Sequence, residues 1–266
     1  MRVALGLEYR GTQYCGWQTQ RTGCAVQDHV ERALGRFLGA PVATVCAGRT
    51  DARVHALTQV LHLDTEVERD EVSWVRGTNT SLPPDIRVIW ARQTNADFHA
   101  RFSASSRTYR YVLLNDSVES AVFSGLVGWF HAPLDVASMQ AAAALLVGEH
   151  DFSAYRASEC QAKSPIRTLT VASVDRIGSG RDSQQMLVLT FRANAFLHHM
   201  VRNMVGELVY VGAGRRGLAE FRAIFDARDR TRAAPTFAPD GLYLCDIEYD
   251  TRFGLPLAHK RHPFPF

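Results

Sequence analysis

The chain has 266 residues, of which 46% are apolar and 21% are charged, and its formal net charge is +3. These values are ordinary for a globular protein and allow one large domain or two closely joined halves. No window approaches the roughly 18 uninterrupted apolar residues that a membrane-spanning helix needs, so no membrane span is expected.

Arginine dominates the basic residues, since Lys163 and Lys260 are the only lysines among 30 basic side chains. Arginine suits bidentate contacts with phosphates and bases, but a GC-rich genome would give the same bias. The pI near 8.7 is too mild to indicate a nucleic-acid partner by itself. The charge therefore leaves the partner open.

Five cysteines are spread along the chain without a C-x-x-C pair. An odd and scattered set predicts neither a disulfide framework nor a zinc–thiolate site, and it favours a reducing cytoplasm. An acidic residue, Glu8, interrupts the first apolar stretch before it is long enough for a secretory signal peptide, so we interpret these residues as a first strand.

In the first 100 residues, apolar periodicity predicts alternating strands and helices. The apolar residues between Val26 and Leu38 have helical spacing, which indicates one amphipathic helix. The other elements predicted are strands over 2–8, 41–46 and 60–63, a short helix over 74–80 and a strand over 86–91. Pro83 and Pro84 would end the short helix.

The second part of the chain begins with a predicted strand over 107–114, in which Tyr109, Tyr111 and Leu113 share one face. A helix is predicted from about Asp135, its N-cap, to a stop at Gly148. The remaining predictions are strands over 169–176 and 185–193 joined by a polar turn over 178–182, a helix after Asn194, a short helix with Leu218, Phe221 and Phe225, and a strand over 242–249.

This order of elements predicts an α+β fold of two similar halves that share a central mixed, largely antiparallel sheet. We place the boundary near residues 103–107, which gives an N-terminal half over 1–105 and a C-terminal half over 106–266. A cleft between two such halves is a favoured place for a ligand.

The segment over 47–56 places Arg49, Asp51 and His55 in a charged turn between two apolar runs. One interpretation makes Asp51 a nucleophile or acid–base group, with Arg49 holding an anionic substrate. The other interpretation is a capped turn in which Asp51 accepts backbone hydrogen bonds. The spacing alone does not decide between them.

The predicted strand with Tyr109 and Tyr111 also carries Arg107 and Arg110, with Arg101 just before it. Alternating aromatic and basic residues can stack on unpaired bases and bind phosphates. The more common arrangement is a strand with its aromatic residues packed inward and its arginines in solvent.

The helix after Asn194 would carry Arg202 and His198 four residues apart on one flank. Its apolar face is predicted to contain Leu197, Val201, Met204, Val205 and Leu208. A helix N-terminus attracts anions, so Asn194 and His198 are candidate substrate contacts. A metal-dependent hydrolase using Asp51, His55 and His198 is an alternative, which the lack of an i,i+4 histidine pair disfavours.

Taken together and in this order, the motifs resemble the tRNA pseudouridine synthase A family. The matching segments are Glu8-Tyr9, Gly16-Trp17-Gln18, 48–52 with Val54-His55, 98–103, 109–111, 193–196, 198–203 and 241–244. The resemblance runs from about residue 2 to residue 250. It implies a pseudouridine-synthase fold with the catalytic cleft between two α+β halves.

The resemblance also implies a homodimer that isomerises uridines at positions 38, 39 and 40 of the tRNA anticodon stem-loop, with no metal or organic cofactor. By resemblance, Asp51 is the catalytic carboxylate and Arg49 helps to hold the flipped nucleotide. Tyr109 matches a tyrosine that stacks on the target base, and Arg202 an arginine that pairs with the catalytic aspartate. A tRNA-binding or chaperone module with an inactive site is the alternative from another class.

One residue departs from the family pattern, which has glycine where this chain has Arg53. If that position has a positive φ, an arginine there costs about 1 kcal/mol of backbone strain. The departure concerns the shape of the loop and the range of substrates, and it leaves the assignment of Asp51 unchanged.

Overall fold

The computed structural model describes residues 1–177 and 185–256, in which ten strands and five α-helices occur. The strands are β1 (Arg2–Tyr9), β2 (Val45–Cys46), β3 (His55–Asp64), β4 (Ile86–Thr94), β5 (Ala104–Asn115), β6 (Gly128–Phe130), β7 (Gly148–Asp151), β8 (Ile166–Ile177), β9 (Gln185–Ala193) and β10 (Leu242–Tyr249). The helices are α1 (Val26–Leu38), α2 (Glu71–Asn79), α3 (Val136–Ala144), α4 (Met200–Gly212) and α5 (Leu218–Ala227).

The chain divides into two compact units. Of the described residues, the first unit contains Met1–Arg107 together with 243–256, and the second contains those within Thr108–Leu242. Our sequence prediction assigned everything after residue 105 to one C-terminal half, whereas here most of β10 belongs to the first unit. The last strand is therefore far in sequence from the other strands of its unit.

The first unit orders its strands β4-β1-β3-β10, with β2 beside β3. The pairs of β1 with β3 and with β4 are antiparallel, and β10 runs parallel to β3. The predicted amphipathic helix is confirmed as α1, which buries Val26, Val30 and Leu34 and ends at Gly39 with a φ of 74°. A positive φ at this position is typical of a glycine C-cap.

The second unit contains the neighbouring strands β5-β9-β8-β7, with β6 parallel to β5. The strand β8 pairs antiparallel with both β7 and β9. The predicted strands over 107–114, 169–176 and 185–193 are confirmed; the first two are longer by one to three residues at their ends, and the third has the predicted bounds. The polar turn predicted over 178–182 lies outside the described residues.

Several element boundaries differ from the sequence prediction. The strand predicted over 41–46 contains only Val45 and Cys46. The helix after Asp135 ends at Ala144, and Gly148, at a φ of 119°, instead begins β7. Short strands such as β6 and β7 carry too few residues for a periodic pattern, so the sequence did not predict them.

The helix after Asn194 begins later than predicted, because His199 has a φ of 60° and breaks the helical path just before Met200. Leu197 and His198 therefore precede α4, and the expected helical pairing of His198 with Arg202 is wrong. The predicted apolar face is otherwise confirmed, since the four later positions are buried: Val201, Met204, Val205 and Leu208.

The prediction of no disulfide is also wrong, because Cys15 and Cys24 are joined in the loop between β1 and α1. The backbone N–H of Cys15 donates to the carbonyl oxygen of Cys24 at 3.2 Å, so the backbones of the two residues lie next to each other. Their Cα atoms are 5.6 Å apart, within the range that a disulfide spans. Scattered spacing along a sequence does not reveal such a loop closure.

The α+β class predicted from the order of elements is confirmed, since each unit combines helices with a mixed, mostly antiparallel set of strands. Among the residues that the structure describes, no helix is long and apolar enough to cross a bilayer.

Candidate active site

Asp51 opens a tight turn in the first unit, between the end of β2 and the start of β3. The backbone N–H of Val54 donates to the carbonyl oxygen of Asp51 at 3.2 Å, which closes a four-residue turn. The third residue of the turn, Arg53, has a φ of 68°. Asp51 is half-buried, whereas Arg49 is exposed in the same loop. A carboxylate and a guanidinium are thus presented on one short segment.

The loop from Gly11 to Trp17 holds this turn by its backbone. The N–H of Trp17 donates to the Thr50 carbonyl at 3.0 Å, and the N–H of Arg53 donates to the Tyr14 carbonyl at 3.2 Å. Gly16 approaches so closely that a Cβ there would lie 2.7 Å from the Thr50 oxygen. The closeness of this contact requires glycine, because any side chain would push the two loops apart.

Buried polar groups hold the residues just before Asp51. The hydroxyl groups of Tyr9 and Thr50 hydrogen-bond at 2.8 Å, and Gln59 Nε2 donates to the Gly48 carbonyl at 2.6 Å. Burial raises the pKa of Tyr9, so its phenol stays protonated. These contacts preorganise the position of Asp51, which a reactive group requires.

His55 is packed into the base of the loop. Its Nδ1 accepts a hydrogen bond from the backbone N–H of Gly11 at 3.0 Å, and its ring stacks on Tyr243 with 4.5 Å between the centroids. Only 1% of its surface is exposed. His55 therefore fixes the beginning of β3, and its Nδ1 lone pair is already engaged by the protein.

Arg107 has a role that the sequence did not predict. Its pattern suggested a solvent-facing arginine near a nucleic acid, but the side chain is buried and donates to three backbone carbonyls. The acceptors are Ala47 at 3.1 Å, Arg101 at 2.6 Å and Ala104 at 3.1 Å. Because Ala47 begins the loop that carries Asp51, this guanidinium positions that loop.

The second unit contains the other candidate residues. Tyr109 lies on β5 and shares a buried face with Tyr111, as the alternation predicted. Its ring meets Phe196 edge-on, with 5.0 Å between the centroids. Tyr111 donates its hydroxyl to the Ala238 carbonyl at 2.9 Å, so this second tyrosine is a packing residue.

Asn194 and His198 lie in the segment between β9 and α4. The Oδ1 atom of Asn194 accepts hydrogen bonds from the backbone N–H groups of Thr168 at 3.1 Å and Ala195 at 2.8 Å. The backbone N–H of His198 donates to Cys160 Sγ at 3.4 Å. Both residues thus help to shape this segment, and their contact with substrate stays a prediction.

Arg202 lies in the first turn of α4 and is half-buried. Its Nε donates to the Phe237 carbonyl at 2.9 Å, and the Phe237 N–H donates to the Arg202 carbonyl at 3.2 Å. This reciprocal pair ties the loop before β10 to the helix. The Phe237 carbonyl therefore helps to orient the Arg202 side chain.

A buried polar cluster beside Arg202 strengthens the same attachment. Asn203 donates to the Tyr155 carbonyl at 2.8 Å and accepts from the Thr236 hydroxyl at 2.7 Å. One turn later, Glu207 pairs with Arg216 and accepts the backbone N–H of Ala234 at 2.7 Å. The pattern of apolar residues that predicted α4 carries no signal for these polar partners.

Comparison with known proteins identifies the family. The family model described as tRNA pseudouridine synthase matches residues 7–103 and 142–250. A protein of Thiobacillus denitrificans named tRNA pseudouridine synthase A is 52% identical over 99% of both chains. Proteins with the same name from Bordetella parapertussis and Methylibium petroleiphilum are each 56% identical, over 95% and 96% of this chain and 92% and 96% of their own. The chain belongs to the tRNA pseudouridine synthase family.

A solved structure, the crystal structure of the archaeal box H/ACA sRNP Nop10–Cbf5 complex, matches with a TM-score of 0.32 and 8% identity. That match covers 77% of this chain and 53% of the other chain. A likeness of this size carries no argument about the present fold.

Proposed function

We propose that this protein is a tRNA uridine isomerase that forms pseudouridine at positions 38, 39 and 40 of the anticodon stem-loop. The observation that carries the proposal is the preorganised turn at Asp51, in a chain whose full-length relatives are named tRNA pseudouridine synthase A. The hydrogen bonds of Thr50 and Arg53 to the neighbouring loop support a fixed carboxylate at this position.

The reaction moves one bond and changes no composition. The N1–C1′ bond of the uridine breaks, the uracil turns, and a C5–C1′ bond forms. The proton on C5 is then lost and N1 gains a proton, so atoms and charge balance. One carboxylate is enough for this chemistry, and no oxidant, metal or organic cofactor is part of the proposal.

Asp51 is the carboxylate of this proposal, acting as a nucleophile at C1′ of a uridine that has left its stack. Removing a base from its stack costs a few kcal/mol, which contacts with the flipped nucleotide must offset. Arg49 is exposed two residues before Asp51, where its guanidinium suits a phosphate of that nucleotide.

The residues of the second unit are assigned to binding. Tyr109 offers its ring to the uracil, because aromatic faces stack on unpaired bases. Arg202 supplies positive charge from a side chain that Phe237 holds in place. Asn194 and His198 are proposed as further tRNA contacts. We also propose that the protein acts in the cytoplasm as a homodimer.

The test measures release of tritium from C5 of uridine in a labelled tRNA. We expect Asp51→Asn and Asp51→Ala to abolish release while tRNA binding stays within about threefold of the unmodified protein. Asp97→Asn, at an exposed acidic residue, is the control and should release label at the normal rate. Mapping pseudouridine in the product then identifies which of the three positions is modified.

Two results would contradict the proposal. Turnover near the normal rate in both Asp51 variants would exclude the carboxylate. Binding of tRNA without any label release by the unmodified protein would instead favour the inactive RNA-binding module. Insensitivity of the active protein to a chelator would argue further against a metal-dependent hydrolase.

A further inference from the structure

We propose that the turn over 99–103 carries a second RNA-binding site, which rests on the proposed function but lies outside the Asp51 loop. Its centre is Phe102, flanked by His99 and Arg101, and we call these three residues the Phe102 platform. The ligand is one unpaired base of the tRNA, stacked on the phenylalanine ring, with its phosphate next to the arginine.

The exposure of Phe102 is the first observation. Phe102 is 76% exposed, and every other phenylalanine, tyrosine and tryptophan in the described parts of the chain is buried or half-buried. Elsewhere in the first unit the large aromatic side chains Trp17, Trp74 and Phe98 are fully buried. An exposed aromatic ring next to a cation offers a face on which an unpaired base can stack.

The turn presents this ring rigidly. The N–H of Ser103 donates to the His99 carbonyl, and the N–H of His99 donates to the Ser103 hydroxyl, both at 2.9 Å. His99 Nδ1 also accepts from the N–H groups of Arg101 and Phe102, each at 3.2 Å. A ring on a turn with this many internal bonds loses little conformational freedom when a ligand binds.

The turn is anchored from below as well. The N–H of Ala100 donates to His62 Nδ1 at 3.2 Å, and the Tyr249 hydroxyl donates to the Ala100 carbonyl at 2.7 Å. Phe98 packs against Phe253, with 5.3 Å between the ring centroids. The exposed Phe102 is therefore not part of a loosely packed segment.

Arg107 connects the platform to the Asp51 loop. One guanidinium nitrogen, NH2, donates both to the Arg101 carbonyl at 2.6 Å and to the Ala47 carbonyl at 3.1 Å. The turn that presents Phe102 and the loop that presents Asp51 are thus fixed by the same side chain. A nucleotide bound on the platform would sit at a constant position relative to the reacting uridine.

The chemistry of the three side chains selects RNA as the occupant. The Phe102 ring stacks on His99 with 4.3 Å between centroids and 27° between planes, and the Arg101 guanidinium lies 5.6 Å from the ring centroid. A stacked aromatic pair next to a cation matches a base and its phosphate. A purely apolar partner would leave the charge of Arg101 without a complement.

The experiment compares Phe102→Ala, Phe102→Leu and Phe102→Trp in the full chain, with an unmodified tRNA transcript as the probe. Because alanine substitution of a ring that stacks on a base costs about 1–3 kcal/mol, Phe102→Ala and Phe102→Leu should weaken binding about 5- to 150-fold. Trp retains an aromatic face and should bind within about twofold. We expect KM to rise with Ala while kcat is nearly unchanged.

Val72→Ala removes a second exposed apolar side chain of the first unit, which is 57% exposed, and should leave binding unchanged. Binding by Phe102→Ala at the normal affinity would overturn the proposal. Equal binding by Phe102→Leu and Phe102→Trp would also overturn it, because only the apolar volume of the side chain would then matter. A change in sedimentation of Phe102→Ala would overturn it as well, because a second copy of the chain would then be the partner of the ring.

These outcomes are separable from the proposed function. If the unmodified protein releases label but Phe102→Ala binds normally, the platform fails and the isomerase stands. If the unmodified protein binds tRNA without releasing label, the isomerase fails, and the affinity series still decides whether Phe102 contacts RNA.

Discussion

Arg53 occupies a backbone conformation that glycine adopts at lower cost. Its φ of 68° lies in the left-handed region, where a side chain meets the following carbonyl oxygen. Position 53, where the family pattern has glycine, therefore has a positive φ in this chain, and Arg53 carries the strain that such a φ implies. The strain is located two residues after Asp51, in the turn that carries the candidate catalytic carboxylate.

We predict that Arg53→Gly raises the free energy of unfolding by about 0.5–1 kcal/mol, since relief of strain exceeds the added entropy of the unfolded glycine. Urea denaturation measures the change. Ala52→Gly, one residue earlier and not at a positive φ, is the control and should lower stability by a similar amount. Lower stability of Arg53→Gly would mean that side-chain contacts of Arg53 outweigh its strain.

His62 gives the first unit a pH dependence. Burial, with the charges of Arg2 and His99 nearby, lowers the pKa of His62 to about 4, while Asp64 acts in the opposite direction. Between pH 6.5 and 4 the unfolded chain binds a proton that the folded chain does not. The contribution of His62 to the free energy of unfolding is therefore fully present above pH 6.5, and it decreases as the pH falls from 6.5 to 4.

The expected loss is about 1.4 kcal/mol for each pH unit well inside the window. Between pH 7 and pH 5, the free energy of unfolding should fall by roughly 1.5–2 kcal/mol more in the unmodified protein than in His62→Gln. Urea denaturation at pH 7 and at pH 5 measures the difference. Equal losses in the two proteins would show that His62 does not titrate differently on folding.

At the scale of elements, the loop between β1 and α1 supports the turn at Asp51 and is itself closed by the Cys15–Cys24 disulfide. Trp17 lies inside the closed loop and Tyr14 lies directly before Cys15, and both residues bind the Asp51 turn through their backbones. The redox state of two cysteines is thereby coupled to the support of the candidate active site.

We predict that a reductant lowers the free energy of unfolding by about 2–3 kcal/mol, as expected for opening a loop of this length. The variant with both Cys15→Ser and Cys24→Ser should be insensitive to reductant, whereas Cys160→Ser should respond as the unmodified protein does. Five reactive thiols in the untreated, unfolded protein would show that the bond is absent and would remove the basis of this prediction.

Periodic elements were predictable from the sequence, and their ends were not. The apolar spacing of α1 and the alternation of β5 identified both elements, because each buries one face. The start of α4 was missed because His199 adopts a positive φ, which no periodicity records. Short strands such as β2 and β7 depend on their neighbours more than on their own residues.

In the candidate site, too, the sequence identified some of the residues and missed others. Asp51 and Arg49 were identified as candidates because they lie two residues apart in a turn between two apolar runs. Their supports were not recognisable, since Arg107 and Gln59 act on backbone carbonyls that any residue provides. The position of an acceptor oxygen depends on the fold, so the sequence pattern predicted the chemical groups and missed the groups that hold them.

At the scale of the whole molecule, β10 makes the first unit discontinuous in sequence. It pairs in parallel with β3 through Tyr243 and Leu244, and Tyr243 stacks on His55 at the base of the Asp51 loop. Its last residue, Tyr249, hydrogen-bonds to Ala100 in the turn of the Phe102 platform. Both candidate sites of the first unit therefore depend on the end of the chain.

We predict that a chain ending at Gly241 loses protection from amide exchange in β1 and β3, because β3 lacks its parallel partner and His55 lacks its stacked ring. Strands β8 and β9 should retain more protection, since their pairing partners lie within 108–242. Exchange measured by mass spectrometry tests this, and a peptide covering 242–256 should restore protection when added. Unchanged exchange in β3 would contradict the role given to β10.

The discontinuity also has a consequence for synthesis on the ribosome. Domains usually fold in the order in which they emerge, from the N-terminus onward. Here the segment made first lacks one of its strands until residues 242–249 have been translated, while the second unit over 108–242 is continuous in sequence. We therefore expect the second unit to be able to complete its folding first, with the nascent first unit waiting for the final strand to leave the exit tunnel.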